Sequence, residues 1–307
     1  MKYHPSPPLR LLRRFFRSVE KNGVRVALLR SHQRLYRSLK NHGFSGTFER
    51  AFIKAPTAPQ FCYPQQTHPF DVLHGTDTGG SVSAADLDAV SLSALHATGY
   101  MGIPPSTLRS ALAALPLDHK DFSFVDIGCG KGRALFVAAE FPFRRLFGVE
   151  IVPELCEAAW ANVALNPEWE KRVSIANQDA TSFIFPDGPL VLFFYYPFYA
   201  AIFRRVLANL ERQLRESPRP IYLLYCDYYA NALDANAVYA HTPTYQKVIH
   251  SLPSIREVSD MVYPLSAEDA AAEPSGAKLS RFLLYYAGTG SEGESVTESH
   301  KHHVLEV

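Results

Sequence analysis

The sequence predicts an α/β protein, with a mostly parallel sheet and helices on both faces. Short apolar runs rich in Val, Ile, Phe, Tyr and Leu recur at 122–127, 145–150, 172–180, 190–198 and 221–227. Helix-forming stretches such as Arg133–Glu140 and Tyr199–Arg215 stand between them, the alternation that a parallel sheet requires. The first run also ends directly in the glycine-rich turn Gly128-Cys129-Gly130-Lys131-Gly132, followed at once by a helix.

Taken from the N-terminus, residues 1–54 predict a basic helical extension. Residues 1–50 hold 12 Lys or Arg against Glu20 and Glu49 only, so 31 basic and 30 acidic residues in the whole chain leave 19 against 28 beyond it. Leu9, Leu12, Phe16 and Val19 recur at helical spacing, and Asn22-Gly23 breaks the pattern into two helices. Two roles stay open: a helical cap with a solvated basic face, or a surface for RNA or anionic lipid. Residues 55–105 are rich in Pro, Gly, His and Thr and predict a wrapping loop with two lid elements, Asp77-Thr78-Gly79-Gly80 and Tyr100 to Pro105. Thr107–Leu115 reads as the helix leading into the first strand.

The core domain is expected over 106–287. Its first strand, Phe122–Ile127, runs into three alternate glycines that admit positive φ and close approach of a ligand. A dinucleotide fingerprint G-x-G-x-x-G/A would place Gly or Ala at position 133, where this chain has Arg133. Asp126, two residues before the first glycine, would repel a pyrophosphate but suits a ligand bearing an ammonium and a sulfonium. The second strand ends in Glu150, where a carboxylate can accept from both ribose hydroxyls. The third ends near Asp179, and both acids have the alternative role of solvated strand-end residues. The fourth, Leu190–Phe198, enters the aromatic stretch Tyr195-Tyr196-Pro197-Phe198. A strand follows at Ile221–Asp227, and Tyr245–Leu252 with Leu279–Ala287 reads as an antiparallel closing pair. Ser266–Lys278 reads as a mobile insertion, and 288–307 as a disordered tail.

These motifs resemble the class I S-adenosylmethionine-dependent methyltransferases. From about Phe70 to Asn166 the chain is similar to a bacterial group of that class, sharing FDVLHGTDTGG, a Y-x-x-x-P segment and the run through VDIGCGKGRALFVAAEFPFRRLFGVEIVPEL. The architecture of that group is similar to that of the non-SET histone lysine methyltransferases. The resemblance implies a Rossmann-like seven-stranded sheet, mostly parallel with an antiparallel edge strand, and S-adenosylmethionine as cofactor. It implies cofactor contacts at Asp126, Gly128, Cys129, Gly130, Gly132, Glu150, Asp179, Ala180 and Tyr100, with Asp179 near the adenine amino group. Tyr100 would cover the cofactor, and Asp77 would bind its polar groups or hold the loop; equally, Asp77 would form an Asx-turn and Tyr100 a packing anchor. Alignment of the methyl acceptor would fall to Tyr196, Pro197 and Phe198. That group usually has Asn-Pro-Phe there, whose Asn oxygen aims the nucleophile. Tyr196 brings a longer side chain that is also a donor. A catalytically diverged binding or scaffold protein, docking partners through the basic N-terminal helices, is therefore a second expectation.

The acceptor, a protein side chain or small molecule, is not legible. Cys62, Cys129, Cys156 and Cys226 show no metal spacing, which suits a reducing cytoplasm. The basic N-terminus lacks the apolar run of a signal peptide. The longest apolar run, residues 190–203, is 14 residues and contains Pro197, too short for a bilayer.

Overall fold

The computed structural model describes residues 68–83, 93, 97, 99–227, 242–252, 254–272 and 278–288. The expectations for the basic extension and for the tail beyond 288 lie outside them. A short helix α1 (Pro69–His74) is followed by a two-stranded antiparallel ribbon of β1 (Ser81–Ser83) and β2 (Gly99–Met101). Then come α2 (Pro105–Ala113), β3 (Ser123–Ile127), α3 (Arg133–Ala139), β4 (Leu146–Glu150), α4 (Pro153–Ala164), α5 (Pro167–Arg172) and β5 (Val173–Asn177). The chain continues through β6 (Leu190–Tyr195), α6 (Ala200–Glu216), β7 (Ile221–Asp227), α7 (Thr242–His250), β8 (Ile255–Pro264), α8 (Ala267–Ala272) and β9 (Leu279–Ala287).

The main sheet has seven strands in the order β5-β4-β3-β6-β7-β9-β8. β3 pairs in parallel with β4 on one side and β6 on the other, so the order reverses at the C-terminal ends of β3 and β6. Open α/β sheets bind ligands in that crevice. The expected antiparallel edge is the β9–β8 pair, with β9 running against both β7 and β8.

Strand alternation divides the interior into two cores. Phe124 and Phe193 pack with Leu108 and Leu112 of α2 and Leu135 and Phe136 of α3. Val125, Ile127, Leu192 and Phe194 face the other way, against Phe203, Val206 and Leu210 of α6 and Val248 and Ile249 of α7. In α6, Ile202, Phe203, Val206, Leu207 and Leu210 lie on one buried stripe at helical spacing.

Two expectations are corrected here. Tyr245–Leu252 belongs to α7 through His250 and is not a strand. Val248, Ile249 and Leu252 recur at helical spacing and pack on the α6 face, and the outer strand lies further on, at Ile255–Pro264. The insertion Ser266–Lys278 contains α8, anchored by a buried Asp269 whose Oδ2 accepts from the Ser106 amide at 2.7 Å. Among the described residues no helix is long and apolar enough to cross a membrane.

Candidate cofactor site

The glycine turn is formed as the sequence predicts. The amides of Gly128 and Cys129 both donate to the Val149 carbonyl, at 2.8 and 3.1 Å, which ties the turn to the end of β4. Gly128 has φ +84° and Gly130 φ +54°. A Cβ at Gly128 would lie 2.4 Å from Cβ of Pro197, and one at Gly130 would lie 2.3 Å from the Tyr100 ring. Both glycines are thus required by conformation and by close approach of a second segment. Cys129 turns its sulfur inward, filling the notch at Gly148 on β4, so its backbone alone borders the turn.

Two carboxyl groups sit at the strand ends around this turn. Glu150 is buried, and its two oxygens accept from the amides of Gly130 and Val152, each at 2.9 Å. Burial pushes this carboxyl above the usual range, and the amide hydrogen bonds offset part of that rise. Asp126, paired across the sheet with Gly148 and Phe193, is 3% exposed. Burial first, and then the nearby Glu150 charge, raise it well above an ordinary aspartate. Among the described residues its carboxyl makes no hydrogen bond or ion pair.

Asp179 lies two residues beyond β5, in the turn that follows it. Its Oδ1 accepts from the Thr181 amide at 2.9 Å and the Thr181 hydroxyl at 2.8 Å, capping a short turn that starts at the buried Ala180. Burial raises this carboxyl, but hydrogen bonds from Ser93 and Thr181 and the charge of Arg205 outweigh that, leaving it below the usual value. Asp179 is thus neither a purely solvated strand-end residue nor a free ligand group: it caps a turn, a role that sequence reasoning did not assign to it.

The segment after β6 closes the crevice on the other side. Pro197 rests on Gly128, and Phe198 packs in the second core with its ring centroid 6.4 Å from that of Phe203. A backbone bridge between Ala97 and Phe198 brings the approach to β2 alongside. Tyr196 stands at φ +45°, the one positive φ outside glycine among the described residues. Such a conformation costs about 1–2 kcal/mol for most residues and suits Asn better. Tyr196→Asn is accordingly expected to melt about 2–4 °C above Tyr196→Ala, since both lose the ring and only the backbone preference differs; equal melting temperatures in a thermal scan would contradict this.

The two lid elements predicted separately meet in the structure: the Tyr100 hydroxyl donates to the Thr78 carbonyl at 2.6 Å. Sequence reasoning missed what holds them. Asn162 of α4, 3% exposed, accepts from the Asp77 amide at 2.8 Å and donates to the carbonyls of Asp77 and Lys131 at 3.0 and 3.1 Å. The signal available was a polar residue on the buried stripe of α4, between Ala159 and Val163.

Residues 125–218 match a family model described as a methyltransferase domain. Among curated proteins the comparison finds no match. Solved structures with a similar outline include the ribosomal protein L11 methylase from Lactobacillus delbrueckii subsp. bulgaricus, at 15% identity and TM-score 0.39, covering 60% of this chain and 77% of that one. The N-methyltransferase NodS from Bradyrhizobium japonicum is 15% identical at TM-score 0.37, covering 54% and 86%. The YcgJ protein from Bacillus subtilis is 15% identical at TM-score 0.40, covering 60% and 99%. At this level the likeness carries no residue-by-residue correspondence. The family match runs from β3 through α6 and so includes the glycine turn and both strand-end acids, and the sheet that carries them has the mostly parallel, Rossmann-like order expected of a methyltransferase domain.

Proposed function

We propose that the chain is an S-adenosylmethionine-dependent methyltransferase acting on a protein side chain or a small molecule. The observation that carries this is the buried Asp126, a carboxyl with no partner among the described residues, beside Glu150 at the C-terminal ends of adjacent central strands. Phosphate ligands are disfavoured by two acids at the turn, whereas a cationic amino-acid end and a ribose suit them. Bound there, the cofactor supplies an electrophilic methyl group. Asp126 would hold the ammonium and Glu150 the ribose hydroxyls. The backbone of Gly128, Cys129, Gly130 and Gly132 would border the ligand, and Asp179 with Ala180 would flank the base. Tyr100 would exclude water from above Gly130, and the Tyr196-Pro197-Phe198 turn would line the acceptor side and align the incoming nucleophile. A sulfonium methyl is already activated, so the residues required are those that orient and dehydrate.

Calorimetric titration of the full chain with S-adenosylmethionine and S-adenosylhomocysteine tests this. Saturable one-to-one binding of both is expected. A folded chain that binds neither would overturn the cofactor assignment and favour the scaffold role instead.

A further inference from the structure

Two cations of the glycine turn and its helix reach to the same short segment before β1. Lys131 Nζ donates to Asp77 Oδ1 at 2.9 Å and to the Gly79 carbonyl at 3.2 Å. Arg133, the residue that excluded a dinucleotide fingerprint, donates from Nε to the Thr78 hydroxyl and from Nη2 to the Thr78 carbonyl, both at 2.8 Å. Its Nη2 also lies 3.5 Å from Asp71 Oδ2. Asp71 Oδ1 in turn accepts from the Thr76 hydroxyl, the Thr78 amide and the Thr78 hydroxyl at 2.7, 2.9 and 2.5 Å. Thr78, Asp71 and Arg133 are each at least 95% buried.

The arrangement runs against the ordinary preference of a helix start. Arg133 is the first residue of α3, where a cation opposes the helix dipole, and a guanidinium is costly to bury. What the placement secures is Tyr100. The Thr78 carbonyl accepts from Arg133 and from the Tyr100 hydroxyl alike, so one oxygen couples the guanidinium to the ring. The guanidinium also lies against Gly102, where a Cβ would come within 2.6 Å of Cζ, so Arg133 seats both ends of the Tyr100–Gly102 stretch. Tyr100 in turn rests directly on Gly130.

We propose that Arg133 is a positioning residue for the cofactor site, holding Tyr100 over Gly130 through the shared Thr78 carbonyl. The inference rests on the S-adenosylmethionine assignment above and extends it to Arg133, buried against Thr78 and Asp71. A wall fixed in advance has less ordering to lose when a ligand binds, so affinity depends on a hydrogen bond outside the ligand's contacts.

The test is calorimetric titration of S-adenosylhomocysteine into the full native chain, Tyr100→Phe, Arg133→Lys and the double variant, with urea midpoints measured in parallel. Tyr100→Phe keeps the ring and removes only the bond to Thr78; each single change is expected to weaken binding about fivefold. The double variant is expected to bind no more weakly than the weaker single variant, because both changes cut one path. A merely structural role for Arg133 would instead lower stability and leave the Tyr100→Phe loss undiminished in the Arg133→Lys background, which would overturn the proposal. Should Arg133→Lys fail to fold, Tyr100→Phe decides alone, native affinity counting against. A native chain without affinity would overturn the cofactor assignment itself, an outcome distinct from native binding with uncoupled variants.

Discussion

Glu150→Ala is expected to weaken S-adenosylhomocysteine binding by about a hundredfold. Two hydrogen bonds from ribose hydroxyls to a buried carboxylate contribute roughly 1.5 kcal/mol each at the low end, and every 1.4 kcal/mol is about tenfold in affinity. The same substitution leaves the Gly130 and Val152 amides without the acceptors they have at 2.9 Å, so the turn itself loosens. Glu150→Gln separates the two effects. It keeps one oxygen for an amide and should fold, with a loss nearer tenfold. Calorimetry on both variants checks the ordering; native affinity in Glu150→Ala would remove this residue from the site.

Asp126→Asn is expected to stabilise the unliganded chain and to impair binding. Because burial and the Glu150 charge raise the folded-state value of this acid, the folded chain holds the proton more tightly than the unfolded one. Stability from this group is therefore highest at low pH and falls as pH rises through the raised value. At pH above it the Asn variant should exceed the native chain by more than about 1 kcal/mol, and the two should converge as pH falls. Binding takes the opposite sign, since a cationic amino-acid end requires the ionised carboxylate. S-adenosylhomocysteine affinity should drop at least roughly tenfold in the variant, and in the native chain it should fall as pH drops through the raised value. 5′-Methylthioadenosine, which lacks the amino-acid end, should bind both alike. Urea midpoints against pH and titrations with the two ligands measure this, and a destabilised Asn variant with equal loss of both ligands would contradict the role given to Asp126.

The central strands β3 and β6 were legible because each is a nearly continuous apolar run buried on both faces. Phe124 to Ile127 and Leu190 to Phe194 are entirely buried, which is why their composition stands out against the helices. Tyr245–Leu252 was misread since an aromatic and two β-branched residues in a short run fit a strand as well as a helix, and only packing on α6 decides between them. The helix in 266–278 was overlooked although Ala267-Glu-Asp-Ala-Ala-Ala272 are mostly good helix formers; the flanking Pro and Gly drew the reading to a loop. Asn162 left a local signal, a polar residue on a buried stripe, but not the identity of its partners, 85 and 31 residues away. The meeting of Asp71 with Arg133 was beyond reach, because no local pattern reports a contact between segments so far apart in the chain.

The position of β9 between β7 and β8 has a consequence for how the chain is completed during synthesis. All five parallel strands of the cofactor half, β5 through β7, are present once residue 227 has emerged. β8 comes next in sequence, yet its one strand partner among the described residues is β9, whose residues 279–287 follow it. The outer strand must therefore wait for a later one to dock against β7 before it can join the sheet. A chain halted before residue 279 would possess the glycine turn and both strand-end acids, but would expose the edge of β7 and leave residues 255–264 without a strand to pair with.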